Sequence, residues 1–253
     1  MPGEPTSDEV YARIAPTYAT RRTTDPQIAA RIWAALGDAR TILNVGAGTG
    51  SYEPTDRDVT AVEPSAAMRE ARPPGAAPCI EASADDLPFA DGTFDAAMAV
   101  LSDHHWPDPV AGYRELARVA RRVVVFQWDN HLGPHPFWLI RDYLPEFRAL
   151  AAGKPSLQER AASIDATITP VPIPSDCADA FFPAFWGRPE AYLDPAVRAS
   201  TSVWARLGPD VEARVTAQLA RDLADGTWHR RNAALLTAPE ADIGARLMVR
   251  STA

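Results

Sequence analysis

The residues whose types and spacing promise chemistry lie between positions 44 and 106. An apolar run, ILNV, ends in Gly46-Ala47-Gly48-Thr49-Gly50. Glycine tolerates positive φ and lets a ligand reach backbone N–H groups with no Cβ in the way. The spacing is G-x-G-x-G followed by Ser51. A dinucleotide fingerprint asks for Gly or Ala at 51, and a P-loop asks for a lysine, so phosphate cradling is not expected. Glu63 closes the next apolar run, VTAVE, 17 residues after Gly46. A carboxylate at a strand end beside a glycine turn can accept hydrogen bonds from two vicinal ribose hydroxyls. Taken singly, the glycines are compatible with a plain turn and Glu63 with a solvated strand end. Together they point to an adenosine-type ligand without a pyrophosphate. A third group, Asp103, His104, His105 and Trp106, follows a later apolar run. Its imidazoles can take a proton near neutral pH. Neighbouring side chains of an extended chain point to opposite sides, so one histidine of the pair is expected to face a ligand, or else to cap the strand end.

The elements that must position these groups alternate in period. Short apolar runs TILNVGAG (41–48), DVTAVEP (58–64), APCIEAS (77–83), FDAAMAVLS (94–102) and RVVVFQWD (122–129) read as strands. PVAGYRELARVARR between the last two has helical spacing, with Val110, Tyr113, Leu116 and Ala120 in line. Strands alternating with helices imply a doubly wound α/β fold around a mostly parallel sheet. Before it, SDEVYARIAPTYATRR (7–22) and PQIAARIWAALGDA (26–39) predict an N-terminal helical cap, the second helix with Asp25 at its N-cap and Pro26 at its first position. The stretch 51–58 is short for a helix after the glycine loop, which weakens any anion site at a helix N-terminus there. Beyond Asp129 come helical insertions, among them PDVEARVTAQLARDLADG with Val211, Val215, Leu219 and Leu223 aligned, a proline-broken edge strand at TPVPIP, and a last strand at IGARLMVRS. No linker or repeat divides the chain, so 1–253 is expected as a single domain: 1–40 cap, 41–129 ligand-binding core, 130–240 helical elaboration, 241–253 final strand.

Composition narrows the partners. The 253 residues carry 25 Lys plus Arg against 33 Asp plus Glu, a net charge of −8, and Lys154 is the one lysine. Nucleic-acid binding rests on neutralising phosphates, which this balance disfavours. No apolar stretch approaches the length of a membrane span and the N-terminus is acidic, so a cytoplasmic location away from membranes is expected. Cys79 and Cys177 lack metal or disulfide spacing, and HLGPH lacks the further ligands of a zinc site, so no metal is expected. Trp128, Trp138, Phe181, Phe182, Phe185, Trp186 and Trp228 gather after the fifth strand and suggest a bulky, partly apolar small-molecule acceptor. Arg21, Arg22, Arg230 and Arg231 are the cations that stand out as candidate contacts for it.

VGAGTG (45–50), AVEPSAAM (61–68), ASADDLPFADGTFD (82–95), HHWPDP (104–109) and GYRELARVARRVVVF (112–126) together resemble the class I S-adenosylmethionine-dependent methyltransferases, in particular the small-molecule group of quinone and natural-product biosynthesis. The resemblance spans roughly residues 38–129. It implies a Rossmann-like sheet, S-adenosyl-L-methionine as cofactor and S-adenosyl-L-homocysteine as product. Carried over position by position, Gly46, Ala47, Gly48 and Gly50 would follow the methionine portion and ribose, and Glu63 the ribose hydroxyls. Pro64 and Ser65 would border the adenine, Ser83 and Ala84 would meet its edge, and Leu101 would line the methyl donor. Tyr11 and Tyr18 would form a lid, or else pack as core. His104 or His105, at the strand end that faces acceptor and methyl group in this class, would act as general base. Asn44 and Ser83 depart from the pattern, each standing where an Asp is usual. The methylated atom of the acceptor is open (O, N or C), as is a monomeric or homodimeric state. Two further readings keep the ligand and change the outcome: a non-methylating enzyme such as a cyclase, and a non-catalytic adenosyl-ligand-binding protein.

Overall fold

Five of the apolar runs become the parallel strands β1 (Thr41–Val45), β2 (Asp58–Val62), β3 (Cys79–Ile80), β4 (Phe94–Val100) and β5 (Ala120–Trp128). With β6 (Thr167–Pro170) and β7 (Ala245–Ser251) they form one sheet of order β3-β2-β1-β4-β5-β7-β6. Pairing is parallel from β3 through β5, whereas β7 runs antiparallel to β5 and to β6. The computed structural model describes residues 22–251, and these cluster into two compact units. Of the described residues, the sheet unit comprises 26–129, 154–171 and 245–251, and the helical unit 22–25, 130–153 and 172–244.

In the sheet unit, Ile42, Leu43, Asn44 and Val45 of β1 are all buried, the continuous burial of a strand covered on both faces. The covering helices are α1 (Pro26–Leu36), α2 (Ala66–Glu70), α3 (Pro109–Val119) and α4 (Leu157–Ala162). On α3, Asp108 caps the first turn by accepting from Ala111 N, and Tyr113, Leu116 and Val119 turn inward. They pack with Leu43, Ala97, Val123, Val125 and Leu157 in the core. Ser156 and Glu159 form a capping box that starts α4. After β1 the chain builds β2 and β3 on one side, then crosses to β4 on the other, so strand order reverses between β1 and β4. Ligands of open α/β sheets bind at such a reversal, beyond the carboxyl ends of the strands.

One expectation needed adjustment, one was met and one lies partly outside the described residues. The run 77–83 pairs only through Cys79 and Ile80, because Pro78 has no N–H for the ladder and Ser83 bridges Asp86 in a turn. Ser51–Arg57 is turn without helix, and Tyr52 takes φ 68°. Residues 7–21 of the N-terminal cap, Tyr11 and Tyr18 included, lie outside the described residues; of the cap, α1 is described.

Among the described residues, the helical unit holds the helix Pro209–Ala224, in which Val215 and Leu219 are buried, and five shorter α-helices. A two-stranded ribbon pairs Ile173–Pro174 with Glu240–Ala241. Its aromatic residues build its own core: Trp138 meets Tyr143, Tyr192 and Trp228 edge to face, and Trp186 donates from Nε1 to Ile173 O at 3.0 Å. Of the cations that stood out, Arg21 lies outside the described residues and the other three make contacts within the protein. Arg22 pairs with Asp179 at 2.6 Å, Arg231 lies 3.7 Å from Asp222, and Arg230 donates to Asp225 O and Thr227 Oγ1. Among the described residues no helix is long and apolar enough to cross a membrane.

Candidate functional site

The glycine loop leaves β1 and folds back beneath the end of β2. Gly46, Gly48 and Gly50 take φ of 67°, 52° and 97°, a region that costs any other L-residue about 1–2 kcal/mol. Gly46 also needs its missing side chain, since a Cβ there would lie 2.6 Å from Ser102 Cβ. Gly48 is different: a Cβ there would meet nothing within 4 Å among the described residues, which leave its α-carbon face open. Gly48→Ala is therefore expected to cost only about 1–2 kcal/mol of stability, through backbone strain alone, while putting a methyl group where a ligand must approach. Melting and ligand titration should separate these effects; equal loss in both would contradict the open face.

The loop N–H groups were expected to face the ligand, and the structure spends them internally. Those of Gly46 and Ala47 donate to Val62 O at 2.9 and 3.0 Å, and that of Gly48 donates to Glu63 Oε2 at 2.9 Å. The other carboxylate oxygen of Glu63 accepts from Ser65 N at 2.9 Å. Glu63 is 7% exposed, so two backbone donors hold a buried carboxylate in one orientation. With the N–H groups of residues 46–48 committed, this loop is not a phosphate cradle, which agrees with the missing lysine.

Behind the loop, Asn44 accounts for its departure from the usual Asp. Its Nδ2 donates to Glu53 Oε1 at 3.0 Å, and Glu53 takes two 2.9 Å hydrogen bonds from Arg72 Nη2. Arg72 Nη1 in turn donates to Gly48 O at 3.1 Å, so the chain Asn44–Glu53–Arg72 clamps the loop from its far side. An Asp at 44 would set a second carboxylate against Glu53. This clamp escaped sequence reasoning, although a carboxamide beside an acid nine residues on is its one local trace.

Ser83 donates its hydroxyl proton to Asp85 Oδ1, and Ala84 is buried next to it. Pro64 is exposed, and its carbonyl accepts from Arg69 Nη1 at 2.6 Å. Leu101 takes φ 52° where β4 ends, its N–H donating to Phe126 O at 2.8 Å. The 3₁₀ turn Asp103–His105 follows, and its two imidazoles lie 3.9 Å apart, tilted by 45°. Asp103 is fully buried. It accepts from Tyr113 OH at 2.7 Å, from Arg160 Nη1 at 2.5 Å and from Gln127 Nε2. Burial, and next the Asp103 carboxylate, push the Tyr113 hydroxyl well above its ordinary range, so it stays a donor. The β1 and β4 ends are tied directly, Ser102 Oγ donating to Val45 O at 3.0 Å.

Residues 43–126 match the family model of a methyltransferase domain. The chain is 44% identical over 64 residues to 2-methyl-6-phytyl-1,4-hydroquinone methyltransferase 2 of Oryza sativa, covering 24% of this chain and 18% of that one. It is 36% identical over 99 residues to an uncharacterized methyltransferase of Mycobacterium tuberculosis, covering 35% and 39%. The chain thus spans less than half the length of the curated relatives it matches. A solved structure from Anabaena variabilis, assigned as a methyltransferase of an antibiotic biosynthesis pathway, superposes with a TM-score of 0.83 at 29% identity, over 92% of this chain and 99% of that one. The strand order, the glycine loop with its strand-end carboxylate and these likenesses converge: the chain has the fold of the class I S-adenosylmethionine-dependent methyltransferases, and residues 43–126 match a methyltransferase domain.

Proposed function

We propose that this chain transfers a methyl group from S-adenosyl-L-methionine to a small, partly apolar acceptor. One observation carries the reading: a buried carboxylate, Glu63, is fixed by two backbone donors beside the open face of Gly48. Ribose hydroxyls suit a carboxylate fixed in this way, and an uncharged nucleoside suits a loop whose own N–H groups are already spent. Ser83 fits the adenine edge as well as an Asp would. Its proton goes to Asp85, which leaves Oγ to accept from an exocyclic amine. The bound cofactor supplies a methyl group activated by its sulfonium charge. The protein's share is then orientation and, for an acceptor that must lose a proton, a base. One of His104 and His105, at the end of β4, is the group proposed for that proton. The phytyl-hydroquinone and antibiotic-pathway likenesses support a small acceptor for this chain too.

Calorimetric titration tests the reading. Wild-type protein should bind one equivalent of S-adenosyl-L-homocysteine. Glu63→Ala should weaken it on the order of 100-fold, because each hydrogen bond to a charged group is worth about 1.5–3 kcal/mol. Unchanged affinity in a folded Glu63→Ala protein would remove the cofactor assignment. Turnover with a net mass gain of one CH₂, a methyl group replacing a proton, then separates transfer from the cyclase and binding-only readings.

A further inference from the structure

Gln127, on β5, is almost fully buried, and every polar atom of its amide has a visible task. Its Oε1 accepts from Trp128 N at 2.6 Å. Its Nε2 donates to Asp103 Oδ1 and lies 3.2 Å from His104 Nδ1. The amide cannot be turned over. That would aim its oxygen at the Asp103 carboxylate and its NH₂ at the Trp128 N–H. Asp103 is itself pinned by Tyr113 OH and Arg160. An amide nitrogen has hydrogens and no lone pair to offer, so His104 Nδ1 must be the acceptor of this contact. A neutral imidazole that accepts at Nδ1 carries its proton at Nε2.

We propose that Asp103 and Gln127 are positioning residues that lock neutral His104 as the Nε2–H tautomer, so that His104 acts at the site as a hydrogen-bond donor and not as the general base. This rests on the methyl-transfer reading for its functional meaning and on the hydrogen bonds alone for the tautomer. A neutral imidazole has one lone pair, and here Gln127 holds it. His104 then offers an acceptor molecule an N–H to orient an oxygen, and removal of an acceptor proton passes to its neighbour His105.

The test is the imidazole nitrogen spectrum of the full-length ¹⁵N-labelled protein near pH 8.5, about two units above the ordinary imidazole range. The His104 signals are assigned by their absence in His104→Asn. Wild-type protein should show a protonated Nε2 and an unprotonated Nδ1; the reverse pattern overturns the proposal. In Gln127→Glu, an oxygen replaces the amide nitrogen. Whether that carboxyl is ionised, or spends its proton on Asp103, it faces His104 as an acceptor, and the tautomer should invert to Nδ1–H. A tautomer unmoved by Gln127→Glu overturns the role of Gln127. If that variant does not fold, Gln127→Met decides instead: the tautomer ratio should fall about tenfold, the worth of one hydrogen bond, and an unchanged ratio counts against the lock. Titrating S-adenosyl-L-homocysteine into the wild-type sample reads the cofactor separately. Absence of binding there would remove the methyl-transfer reading without altering the tautomer result.

Discussion

Arg160→Met should lower the stability of the protein by about 3–5 kcal/mol, the usual cost of leaving one member of a buried ion pair alone. Arg160 and Asp103 are 5% and 0% exposed, and their 2.5 Å contact is the single full charge opposite that carboxylate within its described hydrogen bonds. Tyr113 OH and Gln127 Nε2 would remain, and two neutral donors do not replace a guanidinium for a carboxylate removed from water. For a chain of this size the loss corresponds to a fall in Tm on the order of 10 °C. The double variant Arg160→Met/Asp103→Leu should recover much of it, since an apolar pair of similar volume often equals or exceeds a buried ion pair. A single variant that melts within about 2 °C of wild type, against the stated 10 °C scale, would show that the pair contributes little. Recovery in the double variant should leave binding of S-adenosyl-L-homocysteine intact, because the contacts of Glu63 and Gly48 involve neither residue.

How much of this was legible in the sequence follows from the range of each interaction. β1, β2, β4 and β5 read clearly, since strands covered on both faces are unbroken apolar runs that Gly, Asp and Pro then end. The glycine loop and Glu63 read clearly because their spacing is local to one strand–turn–strand unit. The network around Asp103 did not. Arg160 appears in SLQERAAS as one more charge on a short helix, and nothing in that stretch points to a partner 57 residues away. Gln127 sits inside an apolar run with no local signal that its amide faces Asp103 and His104. The aromatic residues after β5 were legible as a cluster and ambiguous in role. Edge-to-face packing of Trp138, Tyr192 and Trp228 makes them the core of the helical unit, and helix order there depends on contacts that no period encodes. The loop N–H groups show the converse: the positions were right, but hydrogen bonds to Val62 and Glu63 take the donors that the motif seemed to offer.

Raising the pH above about 9 should unfold the protein steeply. Four buried acids hold their protons far above the ordinary range. Cys177 is raised chiefly by burial, with Asp25 next. Tyr143 is raised by burial and by its hydrogen bond to Asp222, Tyr192 by burial, and Tyr113 by burial and Asp103. In the unfolded chain a thiol ionises near about 8.5 and a phenol near about 10. The folded values are the higher ones, so the stability these groups confer is complete below the unfolded values and drains as pH climbs through them. Each group takes away about 1.4 kcal/mol per pH unit once its unfolded form is ionised. Cys177 acts first, between about pH 9 and 10, and the tyrosines join above about 10. Three of the four groups belong to the helical unit, so together they remove about 4 kcal/mol per pH unit there, against about 1.4 from Tyr113 in the sheet unit and a smaller share from the half-buried Cys79. Melting curves between pH 8 and 11 should record the fall, with amide exchange in 172–244 rising ahead of that in 41–128. Cys177→Ala should shrink the decline below pH 10, leaving the share of Cys79, whose thiol burial also raises, and leave the steeper decline above it. A Tm that stays flat to pH 11 would mean that these groups are far less protected from water than their burial implies.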